Sequence, residues 1–190
     1  MRAVKADDLE TVKSILSRGS LNVDEAVGQE GMTALMYAAN WSSPAIMEEL
    51  IRYGADVNKR SMVSRTSMHY AAIIGKTDNL DVLIRHGAFI DGPSAKEYTP
   101  LMSAAESGRY ESVQFLLFKG ANINARNGSD DTALIIATRN RNTPVVRLLV
   151  DTGANTNLKN ERGETAAEIA RKNGDDEVIR LLNHDVEQNK

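Results

Sequence analysis

Five threonines, Thr33, Thr66, Thr99, Thr132 and Thr165, stand 33 residues apart each time. Three further sets keep the same step. They are the Gly-Ala pairs that begin at Gly54, Gly87, Gly120 and Gly153, the small residues at Ala38, Ala71, Ala104 and Ala137, and the apolar pairs that begin at Leu50, Leu83, Leu116 and Leu149. Four independent markers in one register mean a stacked repeat array, in which each unit buries its apolar face only against its neighbours.

One unit shows the physical logic. Thr99 can cap a helix opened by Pro100, where the missing N–H costs nothing. Ala104 and Ala105 keep one side of that helix thin, and Gly108 ends it. Val113, Leu116 and Leu117 give a second helix its apolar face. Gly120 supplies a left-handed turn, and Ala121-Asn122-Ile123-Asn124 follow as an extended excursion. The unit is therefore helix, turn, helix, loop.

At these residues the chain resembles the ankyrin repeat family. The threonine-proline-leucine-histidine-x-alanine-alanine signature stands as Thr99-Pro100-Leu101-Met102-Ser103-Ala104-Ala105, and with its histidine as Thr66-Ser67-Met68-His69-Tyr70-Ala71-Ala72. The family's loop entry is complete at Gly54-Ala55-Asp56-Val57-Asn58. The resemblance covers residues 1 to about 185 and implies an all-α repeat solenoid with β-hairpin-like loops. It also implies that Asn58, with Leu50 upstream, fits the site of an asparaginyl hydroxylase.

Six units are expected, at about 1–27, 28–59, 60–92, 93–126, 127–159 and 160–185, with 186–190 as a polar tail. The first lacks its threonine and proline slots, so it is either a short natural cap or the end of a cut chain. From Gly19 to Thr33 is 14 residues, against 12 for each later Gly-to-Thr interval, so the first loop is two residues longer. The second unit divides its helices at Trp41-Ser42-Ser43-Pro44, with Ser43 or Ser42 as cap and Pro44 opening the second helix. The fifth puts Arg141 in the inter-helix glycine slot and opens its second helix near Pro144. The last carries Arg171 and Asn183 where other units are apolar, which suits an end repeat whose outer face meets water. Leu35, Leu50, Met68, Leu83, Leu101, Leu116, Leu134 and Leu149 are expected to be buried between units.

Composition removes several function classes. A net charge of −3 gives no electrostatic reason to expect nucleic acid. No apolar run approaches the roughly 20 residues of a membrane span. Charge enters the first residues too early for a signal peptide. With no cysteine there are no disulfides or cysteine-based zinc sites. An intracellular location follows as the expectation, cytoplasmic or alternatively nuclear.

Catalytic and cofactor chemistry finds no support. Gly75-Lys76-Thr77 resembles the end of a phosphate-binding loop, but Tyr70 stands where that motif needs a glycine. His69 fills the signature's histidine slot, where the imidazole serves local hydrogen bonding near the capping threonine. His86 precedes Gly87 at a helix end, where a cation-capable residue is favourable in itself. No metal-ligand spacing links these to His184. Asp175-Asp176-Glu177 open a helix, where negative charge is stabilising without acid–base work. No enzyme, no cofactor and no metal is expected.

Function then rests on surface. In the family, loop tips and the exposed side of the first helices line a concave face that binds partners. Carried over position by position, the residues around each loop's turn include Gln29, Glu30 and Met32, then Met62, Val63 and Arg65, then Ala95, Lys96 and Tyr98. Ser64, Glu97 and Asp130 replace the turn glycine in units three to five. The ends of the first helices add Asn40-Trp41, Ile73-Ile74, Glu106-Ser107 and Arg139-Asn140. Met32, Trp41, Met62, Val63, Arg65, Ile73, Ile74, Lys96, Tyr98 and Arg139 are the expected partner contacts.

Large exposed apolar residues mark interaction sites, and Trp, Tyr and Arg dominate them. Ile73 and Ile74 read equally well as packing on the adjacent unit. For Trp41 and Tyr98 their enrichment in interface cores favours binding. Arg65 and Arg139 are placed to clasp a partner's carboxylates. The expected function is a monomeric scaffold that binds a protein or peptide on its concave face. The alternative is the targeting or regulatory part of a larger enzyme or channel.

Overall fold

The computed structural model describes residues 1–19, 22–92 and 98–188, with side chains through 183. Among the described residues twelve helices follow one another in six helix–turn–helix pairs. The pairs are α1 (Arg2–Lys5) with α2 (Leu9–Leu16), α3 (Ala34–Trp41) with α4 (Pro44–Arg52), and α5 (Ser67–Ile74) with α6 (Thr77–Arg85). Then come α7 (Pro100–Glu106) with α8 (Tyr110–Phe118), α9 (Ala133–Arg139) with α10 (Thr143–Asp151), and α11 (Ala166–Asn173) with α12 (Asp176–Gln188). The first helices of the pairs pack side by side in one row and the second helices in another. The result is an all-α repeat solenoid.

Capping threonines start the first helices where the 33-residue step puts them. The hydroxyls of Thr33, Thr99, Thr132 and Thr165 each accept from the backbone N–H three residues on, at 3.3 Å. Thr66 differs, because its hydroxyl meets His69 Nδ1 at 2.9 Å instead. The alanine pairs at Ala38, Ala71 and Ala104 are fully buried, which lets neighbouring first helices approach closely. All eight leucine and methionine positions expected between units are at most 2 % exposed. Arg171 and Asn183 on the last unit face solvent. Helix α12 runs through Gln188, so residues 186–188, read as a tail, continue the last helix.

The loops close through backbone bonds rather than strands. Among the described residues the only bridge is the antiparallel Val27–Met32 contact. Elsewhere the Ser61, Asn127 and Asn160 N–H groups donate to the carbonyls of Arg65, Asp131 and Glu164. Two of the described loops also tie to the preceding one: Met62 N–H donates to Glu30, and Glu161 N–H to Ser129.

Replacing glycine does not change the turns at Ser64 and Asp130, while Glu97 lies outside the described residues. Ser64 and Asp130 take left-handed backbone at φ +57° and +59°, beside Gly31 at +61° and Gly163 at +75°. Between helices, Asp7 and Arg141 do the same at +54° and +58°. The strain of a non-glycine residue there is accepted because surrounding bonds fix the turn. Asp7, for example, also accepts from the Ser43 N–H and hydroxyl at 2.8 Å, at the start of α4. Ser43 is the residue that precedes Pro44 there, and its own hydroxyl makes no cap bond to α4.

Candidate functional site

The inner row of helices and the loop tips leave an open groove of about 460 Å³ over units one to three. Gln29, Glu30 and Met32 of the first complete loop line it, with Asn40 and Trp41 from the end of α3 and Arg65, Ile73 and Ile74 from unit three. These are residues that the repeat register places on one face. Lys5, Tyr37 and Tyr70 complete the lining.

Trp41 is 47 % exposed. Its ring stacks on Tyr37 with centroids 5.3 Å apart and planes 25° apart. The Lys5 ammonium sits 4.7 Å from the Tyr37 centroid and 5.3 Å from that of Trp41. A cation over these ring faces holds the pair in place and contributes about 0.5–1 kcal/mol at such an exposed site. Deeper in, the Tyr70 hydroxyl donates to Glu30 at 2.9 Å. Burial pushes that phenol up from its ordinary pKa, and it stays a neutral donor.

The other expected contacts fall in different places. Ile74 is 40 % exposed and Ile73 half-buried, so Ile74 presents its side chain to the groove more fully. Met62 and Val63 are exposed at the tip of the next loop, outside the groove lining, with Met62 lying across Gly31. Tyr98 is half-buried, and burial raises its phenol pKa, with Glu106, Asp131 and Arg139 as its nearest charges. Lys96 lies outside the described residues.

Two expectations are corrected. Met32 is 5 % exposed and belongs to the core. Its backbone pairs with Val27, and this turns the side chain inward, so it forms only groove floor. Arg139 does not hold out a free fork. Its Nη1 and Nη2 donate to Asp131 Oδ2 and Oδ1 at 2.6 Å each, a bidentate pair within the chain.

Sequence reading missed Lys5, Tyr37 and Tyr70. Tyr37 and Tyr70 fill the signature's variable slot in successive units, and an aromatic repeated there was the available signal. Lys5 sits 35 residues before Asn40. That is the 33-residue step plus the two-residue loop insertion, so its slot matches Asn40, Ile73, Glu106 and Arg139.

Elsewhere, candidate chemistry resolves into structure. His69 Nδ1 accepts from Thr66, and Nε2 donates to the Tyr98 carbonyl at 2.8 Å. The Lys76 ammonium donates to the Ser42 carbonyl at 2.9 Å, and Gly75 is simply the left-handed end of α5. His86 meets Glu48 at 2.6 Å on the outer row. Partial burial opposes ionisation of Glu48, but hydrogen bonds from His86 and Arg85 outweigh it and hold the carboxyl below its ordinary pKa. Asp175 accepts from Val178 N–H at the start of α12. Asn58 accepts from Phe89 N–H at 2.9 Å and donates to Gly87 at 3.1 Å, which joins successive loops. Asp91 accepts from Asn122 N–H in the same way. Among the described residues no group of three or more His, Asp or Glu side chains is placed to hold a metal ion. Nor is any helix among them long and apolar enough to cross a membrane.

Comparison with known proteins agrees with this architecture. The family described as ankyrin repeats (3 copies) matches over residues 1–61, 59–127 and 126–190. A stretch of 69 residues, 36 % of the chain, is 36 % identical to the BTB/POZ domain and ankyrin repeat-containing protein NPR1 of Malus hupehensis. That stretch spans 11 % of the relative's length.

Proposed function

The chain belongs to the ankyrin repeat family, whose repeats are generally protein-interaction modules, and on that premise we propose that it binds a protein or peptide partner in its concave groove, chiefly over units two to four. The observation that carries the reading is the aromatic surface at the end of α3. Trp41 is half-exposed and fixed by Tyr37 and Lys5, and it faces the groove with Ile73 and Ile74 beside it. A rigid, half-desolvated aromatic loses little conformational freedom on binding, the property that makes such residues dominate interfaces. In this reading the half-buried Tyr98 extends the surface toward unit four, while Met62 and Val63 offer apolar contact from the loop tips. The chain in this reading works as a monomer in the cytoplasm or nucleus, and packing of each repeat against its neighbours supports the monomer.

A second reading rests on the relative, which by its name carries a BTB/POZ domain besides its ankyrin repeats. In that reading the array is the targeting part of a larger protein. Both readings use the same groove. Affinity capture from lysate, read by mass spectrometry, compares the intact array with a Trp41→Ala, Ile74→Ser, Tyr98→Ala variant that circular dichroism shows to be folded. A partner retained only by the intact array supports the groove. Equal capture by both arrays moves binding to another surface.

A further inference from the structure

The charges of the groove differ from those of the outer row of helices. On the outer row Arg52, Arg85, Lys119 and Arg147 each meet a carboxylate within ion-pair distance. At the far end of the inner face, Arg139 is neutralised by Asp131. Lys5 and Arg65 face the groove, yet among the described residues neither forms an ion pair. Among the described residues the one carboxylate lining the groove, Glu30, accepts from the Tyr70 hydroxyl. The described lining of the groove thus sets two cations, Lys5 and Arg65, against one carboxylate that is already hydrogen-bonded.

We infer that the groove's occupant is an extended acidic peptide segment of a partner protein, with an apolar side chain seated on Trp41 and its carboxylates on Lys5 and Arg65. This rests on the groove reading above and adds the chemistry of the partner. The apolar side chain covers the indole and the neighbouring Ile74. The ammonium of Lys5 keeps its place over the rings while its outward donors meet a carboxylate, and the Arg65 guanidinium offers a fork for a second. The charged contacts of the peptide lie in units one to three, because Arg139 of unit five is already paired with Asp131.

The test uses Trp41, the chain's single tryptophan. Its emission is followed while the whole chain is titrated with three short peptides of equal length, alternating Leu with Glu, with Gln or with Lys. The expected result is that the Glu peptide binds at least about tenfold more tightly than the other two and weakens as salt is raised. Lys5→Ala, Arg65→Ala and the milder Arg65→Gln remove that preference. Arg52→Ala, which deletes an equal charge from the outer helix α4, leaves it intact. Equal binding of the Glu and Gln peptides overturns the acidic partner and leaves the groove standing. An oligothymidylate is titrated as a fourth probe, and a Trp41 response to it but to no peptide overturns the acidic partner in favour of a nucleic acid. No response to any probe also overturns it, and if the captured partner is indifferent to the groove variant, the groove reading falls with it.

Discussion

His69 on α5 donates its Nε2–H to the backbone carbonyl of Tyr98, 2.8 Å away in the next unit. The same ring accepts at Nδ1 from Thr66, so one neutral imidazole caps its own helix and ties units three and four together. Burial, helped by the charges of Arg65 and Arg60, lowers its pKa from 6.5 to about 4. The unfolded chain therefore takes up this proton first as the pH falls. The contribution of His69 is complete above about pH 6.5 and is lost toward pH 4, a loss approaching about 3 kcal/mol. Urea midpoints measured across that window fall in the wild type and fall less in His69→Gln, which starts lower at neutral pH. Parallel profiles contradict this account.

Turn geometry predicts an ordering among glycine variants. Gly153 and Gly108 both have left-handed backbone, at φ +90° and +65°. A Cβ on Gly153 meets nothing within 4 Å, so Gly153→Ala costs only backbone strain, about 1–2 kcal/mol. A Cβ on Gly108 would lie 2.8 Å from Asn142 Oδ1. The Asn142 amide donates to the Ala105 and Glu106 carbonyls at the end of α7, so Gly108→Ala also disturbs that link and costs more. Thermal unfolding of the two variants side by side checks the order.

Arg139 is structural. The Asp131 side chain is 5 % exposed and that of Arg139 42 %. Removing the arginine leaves a buried carboxylate with Asn160 as its remaining side-chain donor. Arg139→Ala lowers stability by about 1–3 kcal/mol, and Arg139→Lys recovers only part of it because a lysine cannot make the bidentate pair. Chemical denaturation measures both. Neither variant changes the affinity of a peptide bound over units one to three.

Leu101 is 1 % exposed at the centre of the array. Leu101→Ala costs about 2–5 kcal/mol. Because coupling runs only between neighbours, the loss falls on the middle of the stack, and unfolding separates into two transitions. Hydrogen exchange shows the units flanking α7 losing protection before the first and last pairs.

The threonine, alanine and leucine registers read in the sequence correspond to capped helices, thin inner faces and a buried core, because each marker reports a local physical need. The loops at Ser64 and Asp130 kept their shape without glycine. Bonds such as Met62 N–H to the Glu30 carbonyl impose the turn on whatever residue fills it. Side-chain partners chosen in three dimensions were less legible. Asp131 and Arg139 are eight residues apart, a spacing no helix rule pairs, so the arginine read as a free contact. Met32 read as exposed because the register gives position along the loop but not the inward turn set by Val27. The Lys5 slot emerges only when the two-residue insertion of the first loop is added to the repeat step.

The central claim, that the partner lies on the inner face, is tested most directly by photo-crosslinking. A benzoylphenylalanine is placed at Ile74 in the groove in one protein and at Phe118, 82 % exposed on the outer helix α8, in another. The account predicts that the captured partner crosslinks from position 74 and not from position 118. Crosslinking from 118 alone would contradict it and put the partner on the outer face.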